Sequence, residues 1–277
     1  MPYALRDKKV LVTGASSGIG AGLAEGFARA GATVGLCARR TGRLKEVLDR
    51  CLPHAPGSRM WTADLATEGA PERLAEQVLA DFGRVDVLVN NAGIPKRRHV
   101  TRLDPETVDA VNRINYLAPV HLTLALLPQM LARGEGLVVN VSSVAATLSS
   151  PGESAYSASK AALAVFSESM AIDLWDEGIR VMVVYPGVVD TELFSLPDND
   201  PFTAPVQAIS VSEAVDAILS ALEDGARQVY VPEWFAEFAQ GKAKDVEAFL
   251  SGSAAFVRQQ AAEAGAGGPG SSQQVPE

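Results

Sequence analysis

The stretch KKVLVTGASSGIGAGLAEGFARAG, residues 8–31, sets a short valine- and leucine-rich run against a glycine turn and then a helical pattern. The apolar run is continuous rather than alternating, as a strand buried on both faces should be. Gly14, Gly18 and Gly20 follow it directly. Glycine there permits positive φ and lets backbone N–H groups approach a ligand, while the positive end of the next helix favours an anion. With Ser16, Ser17 and Ile19 completing the turn, the loop predicts a cradle for a dinucleotide's pyrophosphate.

Working outward, similar runs recur at 32–38 (ATVGLCA), 58–63 (SRMWTA), 84–90 (RVDVLVN), 136–142 (GLVVNVS), 180–185 (RVMVVY) and 227–232 (RQVYVP). Amphipathic segments such as 71–83 (PERLAEQVLADFG) and 212–225 (SEAVDAILSALEDG) lie between them, with glycine marking their ends. This alternation predicts an α/β, Rossmann-type doubly wound parallel sheet of about seven strands, with helices on both faces. Asp104 before Pro105 predicts an N-cap opening a long helix to about Ala132, and Ser210 with Glu213 predicts a capping box. We expect one domain over residues 1–260, with a helical extension from about residue 233. Residues 265–277 are glycine-, serine- and proline-rich and are expected to be a disordered tail.

The chain has 277 residues, 47% of them hydrophobic, enough for one substantial core. A formal charge of -9 argues against extensive binding to nucleic acid. The start has too short an apolar run for a secretory segment, and LAPVHLTLALLPQMLA, 117–132, is interrupted by two prolines, His121 and Gln129, so no membrane span is expected. A cytoplasmic protein follows. Cys37 and Cys51 cannot make a disulfide framework, and the three histidines have no metal-ligand spacing with them, so no metal is expected.

The second strand ends at Ala38, where such folds often place an acid for the adenosine ribose, and Arg39 and Arg40 follow. An uncharged residue does not repel a 2′-phosphate and a guanidinium clamps one, so NADP(H) is favoured over NAD(H). Ser17 is not basic, so the preference rests on the arginines. Downstream, AYSASKAAL at 155–163 puts Tyr156 and Lys160 on one helical face. A nearby cation favours phenolate over phenol, so the pair is expected to exchange a proton near neutral pH.

Together TGASSGIG, Asp64 in TADL, NNAG at 90–93, Asn115, Ser143, YSASK at 156–160 and PGVVDT at 186–191 resemble the short-chain dehydrogenases/reductases, over about residues 5–235. The resemblance implies an oxidoreductase interconverting a ketone or aldehyde with its alcohol. It implies Tyr156 as general acid/base, Lys160 lowering its pKa and holding the nicotinamide ribose, and Ser143 on the carbonyl oxygen. Asn115 would hold a water linking the lysine to solvent. Asn91, Ala92 and Gly93 would neighbour the cofactor, Asp64 and Leu65 the adenine, and Pro186, Gly187, Val189 and Thr191 the nicotinamide end. Members commonly form dimers or tetramers through the helices equivalent to about 104–132 and 154–177, so a homodimer or homotetramer is expected.

Apolar Leu193, Phe194, Leu196 and Phe202 either cover a hydrophobic substrate or pack a long loop onto the core. The segment after residue 232 could close the pocket, dock on a neighbouring subunit, or pack as an amphipathic helix. Two other functions fit the same residues: a 3-oxoacyl-carrier-protein reductase, docking an acidic carrier through Arg97, Arg98 and Arg133, and a dinucleotide sensor without turnover. The sensor should lack the tyrosine, lysine or serine, and all three are present.

Overall fold

A computed structural model describes residues 3–202 and 206–266. Seven strands, β1 (Lys9–Thr13), β2 (Thr33–Ala38), β3 (Arg59–Thr62), β4 (Val87–Asn90), β5 (Gly136–Val141), β6 (Ile179–Pro186) and β7 (Gln228–Val231), form one sheet in the order β3-β2-β1-β4-β5-β6-β7. Every neighbouring pair is parallel. All residues of β4 and β5 are buried, which is why those runs are apolar throughout. After β3 the chain crosses to the other side of β1 to lay down β4, and this reversal opens a crevice at the carboxyl ends of β1 and β4.

The crossovers are α1 (Gly18–Arg29), α2 (Thr41–Cys51), α3 (Ala70–Phe82), α4 (Pro105–Asn112), α5 (Ala118–Leu131), α6 (Ala145–Leu148), α7 (Ser154–Asp173) and α8 (Val211–Glu223), with α9 (Phe235–Lys244) and α10 (Val246–Ala266) after β7. Successive strand residues face opposite layers. Val10 and Val12 join a core with Leu23 and Phe27 of α1 and Ile218 and Leu222 of α8, while Leu11 joins a second core with Leu74 of α3, Leu122 and Leu126 of α5 and Met170 of α7.

Both anticipated helix starts form. Asp104 Oδ1 accepts from Thr107 N over 2.7 Å with Pro105 at the first helical position, and Ser210 and Glu213 make a reciprocal capping box. The helix expected from Asp104 to about Ala132 is not regular: Arg113–Leu117 form a π-turn between α4 and α5, and Asn115 sits in it. The tail boundary also differs, because α10 includes Gly265 and Ala266; residues 267–277 lie outside the described residues. The outer surfaces of α5 and α7, which the resemblance assigns to subunit contacts, expose Leu124, Val165 and Ile172.

Candidate active site

A cavity of about 890 Å³ opens at the carboxyl ends of the central strands. Gly14, Ser16, Ser17, Gly18 and Ile19 form one wall. Gly18 has φ +54°, a left-handed conformation that turns the chain from the loop into α1 at no steric cost. Ser17 stands at the cap position without capping the helix, and the first turn carries no acid, so its N–H groups suit an incoming anion. Gly20 does not line the cavity. It packs against the Gly14 carbonyl and the Asn91 side chain, leaving no room for a Cβ. Asn91 ties the loop to β1 by donating to Thr13 O over 3.0 Å.

The two arginines after β2 diverge. Arg40 Nη2 donates to Ser16 Oγ over 3.0 Å and to Ser17 Oγ over 2.7 Å. Arg39 points instead toward Asp64, 3.9 Å away, and Asp64 also receives Ala66 N over 3.1 Å. Arg40, rather than Arg39, therefore holds a guanidinium against the glycine turn. Glu192 reaches the same place from after β6, pairing with Arg40 at 2.5 Å and with Arg43, and accepting from Ser17 Oγ over 2.8 Å. The hydrogen bond from Arg40 leads the interactions that hold the Glu192 carboxyl down to about 2.

Deeper in the cavity, Ser143 follows β5, while Tyr156 and Lys160 lie on successive turns of α7. The structure brings the three together. Ser143 Oγ accepts from Ala145 N over 3.1 Å beside the Tyr156 phenol in the same cavity, and Lys160 Nζ lies 5.9 Å from the centre of the tyrosine ring. Lys160 Nζ donates to Val141 O over 2.9 Å. Ser142 serves the scaffold instead, since its hydroxyl donates to the Lys160 carbonyl over 2.9 Å and fixes α7 to β5.

The phenol's titration departs from the sequence expectation. Burial, followed by the field of Glu153, pushes Tyr156 well above an ordinary phenol, against the lowering effects of Ser143 and Arg97. Burial also pulls Lys160 down to about 8. Near neutral pH the Tyr156 side chain is therefore a neutral phenol and not a phenolate.

Asn115 is fully buried. Its Nδ2 donates to Ile94 O over 3.0 Å and Ser159 Oγ over 3.1 Å, and its Oδ1 accepts from Ile94 N over 2.9 Å. A Cβ on Gly93 would lie 3.0 Å from Asn115 Oδ1 and 3.3 Å from Lys160 Nζ, so glycine leaves the gap into which these two polar atoms face.

The remaining expected positions, Leu65, Ala92, Pro186, Gly187, Val189 and Thr191, also line the cavity. Leu193, Phe194, Leu196 and Phe202 cover it, with the Phe194 and Phe202 rings edge to face at 5.2 Å. This cover is clasped by the basic run after β4. Lys96 pairs with Asp198 at 2.6 Å, Arg98 also pairs with Asp198, and Arg102 pairs with Asp200 at 2.5 Å. Buried Arg97 donates from Nε to Asp200 O over 2.9 Å and from Nη2 to Phe194 O over 2.8 Å. Arg133 is committed to Asp86 and the Val85 carbonyl.

Residues 8–200 match the short chain dehydrogenase family. The chain belongs to that family. A short chain dehydrogenase of Pseudocercospora fijiensis (strain CIRAD86) is 40% identical over 203 residues, 72% of this chain and 65% of the relative. The chain thus spans less than two thirds of that curated relative's length. Among solved structures, a short-chain dehydrogenase from Streptomyces avermitilis is similar with TM-score 0.76 and 35% identity, covering 92% of this chain and 98% of that one. A short-chain dehydrogenase from Sphingobium yanoikuyae in complex with NADPH is similar with TM-score 0.76 and 28% identity, covering 98% of each chain.

Several residues of this short-chain dehydrogenase site fall outside the motifs that sequence reasoning used. Arg43, one helical turn beyond Arg40, has a local signal in its i+3 spacing. Glu153, three residues before Tyr156, has the same local signal, whereas Glu192 and the cover contacts of Arg97 have none, since their partners are brought in by tertiary structure. Phe235 and, from α10, Phe256 and Val257 also face the cavity. Of the three roles open to the C-terminal segment, closing the pocket is the one this placement supports.

Proposed function

We propose that this chain is an NADP(H)-dependent oxidoreductase that interconverts a ketone or aldehyde with the corresponding alcohol, with Tyr156 as the proton-transferring group. The observation that carries the proposal is the convergence of Ser143, Tyr156 and Lys160 on one cavity that also contains the glycine turn. The residues present fit a phosphorylated dinucleotide: an uncapped helix start, and Arg40 braced by two serine hydroxyls with Ala38 in place of an acid. When bound, that cofactor would supply or accept the hydride.

The chain's own groups divide the remaining work. Ser143 orients the substrate oxygen and stabilises its developing negative charge. Tyr156 delivers a proton to that oxygen in reduction and withdraws it in oxidation. Lys160, cationic below about 8, would bind the ribose hydroxyls and support the returning proton. Asn115 braces the Ile94 backbone opposite the lysine. Leu193, Phe194 and the walls from α10 exclude water and favour an apolar substrate. Arg97, Arg98 and Arg133, the arginines expected to meet an acidic carrier protein, are each engaged within the chain.

The test is NADPH and NADH oxidation against a carbonyl panel, with Tyr156→Phe as the comparison. The variant should bind NADPH within about twofold of the wild type while turnover falls roughly 10²–10⁴-fold. Undiminished turnover would remove Tyr156 from the chemistry, and absence of turnover with every carbonyl would favour the sensor.

A further inference from the structure

The cationic cradle at the starts of α1 and α2 is held by an anion of the chain's own. Glu192 meets Arg40 at 2.5 Å, the Arg43 guanidinium, and the Ser17 hydroxyl at 2.8 Å. Arg40 is simultaneously braced by Ser16 and Ser17. Guanidiniums and hydroxyls converging on one small anion beside an uncapped helix start form the donor set that a phosphate monoester uses. Glu192 also follows Thr191, a cavity residue, and begins the short 3-10 turn Glu192–Ser195 that leads into the cavity cover. Cradle and cover are thus joined through a single side chain.

We propose that Glu192 is a built-in competitor for the cofactor's 2′-phosphate and thereby a determinant of cofactor specificity. Its carboxylate neutralises Arg40 and Arg43. An arriving phosphate, carrying close to two negative charges against the carboxylate's one, displaces it from the guanidiniums. A dinucleotide without that phosphate offers the arginines no replacement and leaves Glu192 in place. The proposal rests on the NADP(H) assignment above and adds to it a residue that opposes phosphate binding and links it to the loop over the substrate.

The experiment is direct titration of NADPH and NADH by nicotinamide fluorescence, and of adenosine 2′,5′-bisphosphate by calorimetry, with wild type, Glu192→Gln and Glu192→Ala. Loss of two solvent-accessible ion pairs should tighten NADPH and the bisphosphate by roughly three- to tenfold, and leave NADH within about twofold. Unchanged or weaker NADPH binding in both variants overturns the proposal. So does weaker NADH binding, which would make Glu192 a ribose ligand. A wild type preferring NADH removes the cofactor assignment itself, whereas one preferring NADPH with no response to either substitution removes only the role of Glu192.

Discussion

Replacing the lysine beneath the cavity should make the protein inactive and, near neutral pH, no less stable. Lys160 is only 4% exposed and donates to Val141 O over 2.9 Å. Burial takes its ammonium from an ordinary 10.5 to about 8. Each tenfold in proton affinity is worth about 1.4 kcal/mol. Keeping the charge in the folded chain therefore costs roughly 3 kcal/mol below pH 8. Lys160→Met removes that cost but leaves the Val141 carbonyl without its donor, a loss of about 1–3 kcal/mol. The net effect near pH 7 is a gain of about 0–2 kcal/mol.

The sign of the pH dependence is the sharper test. Between the folded value of about 8 and the unfolded value of 10.5, the unfolded chain carries a proton that the folded chain lacks, so this lysine makes wild-type stability rise with pH. Tyr3, Tyr156, Tyr185, Cys37 and Cys51 act oppositely, because burial raises them and the folded chain keeps protons that the unfolded chain loses. Those groups are common to both proteins and cancel in the difference. Urea unfolding of both, without cofactor, should show the variant's advantage shrinking by roughly 2 kcal/mol between about pH 7 and about pH 10. A difference independent of pH would refute a charged lysine at this depth.

Arg40→Ala should weaken NADPH binding about tenfold or more, from the loss of charge-assisted hydrogen bonds, and Arg39→Ala should do far less. Equal losses in a fluorescence titration would contradict the divergence of the two side chains. Asp198→Asn combined with Asp200→Asn should leave global stability within about 1 kcal/mol while speeding proteolysis within residues 192–202, since exposed pairs contribute little individually. Unchanged cleavage would show that Lys96, Arg98 and Arg102 do not hold the cover.

The parts of the site legible in the sequence are those set by local spacing. The glycine turn is read from a strand followed directly by a helix, and Tyr156 and Lys160 meet because one α-helical turn separates them. Ser143 reaches them because α7 packs back against the end of β5, where Ser142 and Val141 bond Lys160. What stays hidden depends on burial and long-range contact. A spacing pattern carries the Tyr156–Lys160 pair but not the depth at which it sits, and depth decides that the phenol is raised rather than lowered. Arg43 and Glu192 are 149 residues apart, and no periodicity joins them. Gly20 reads as a ligand contact because a glycine that packs and a glycine that binds look the same in a string of letters.

The π-turn and the glycine loop belong to residues 8–200, the span shared with the family, and so do Ser143, Tyr156 and Lys160. Val206, Phe235, Phe256 and Val257, which finish the cavity, come from beyond it. The proposed reaction centre and part of the cavity wall thus come from different stretches of one polypeptide. Exchanging the end of the chain would change what fits inside while leaving the proton-handling apparatus intact.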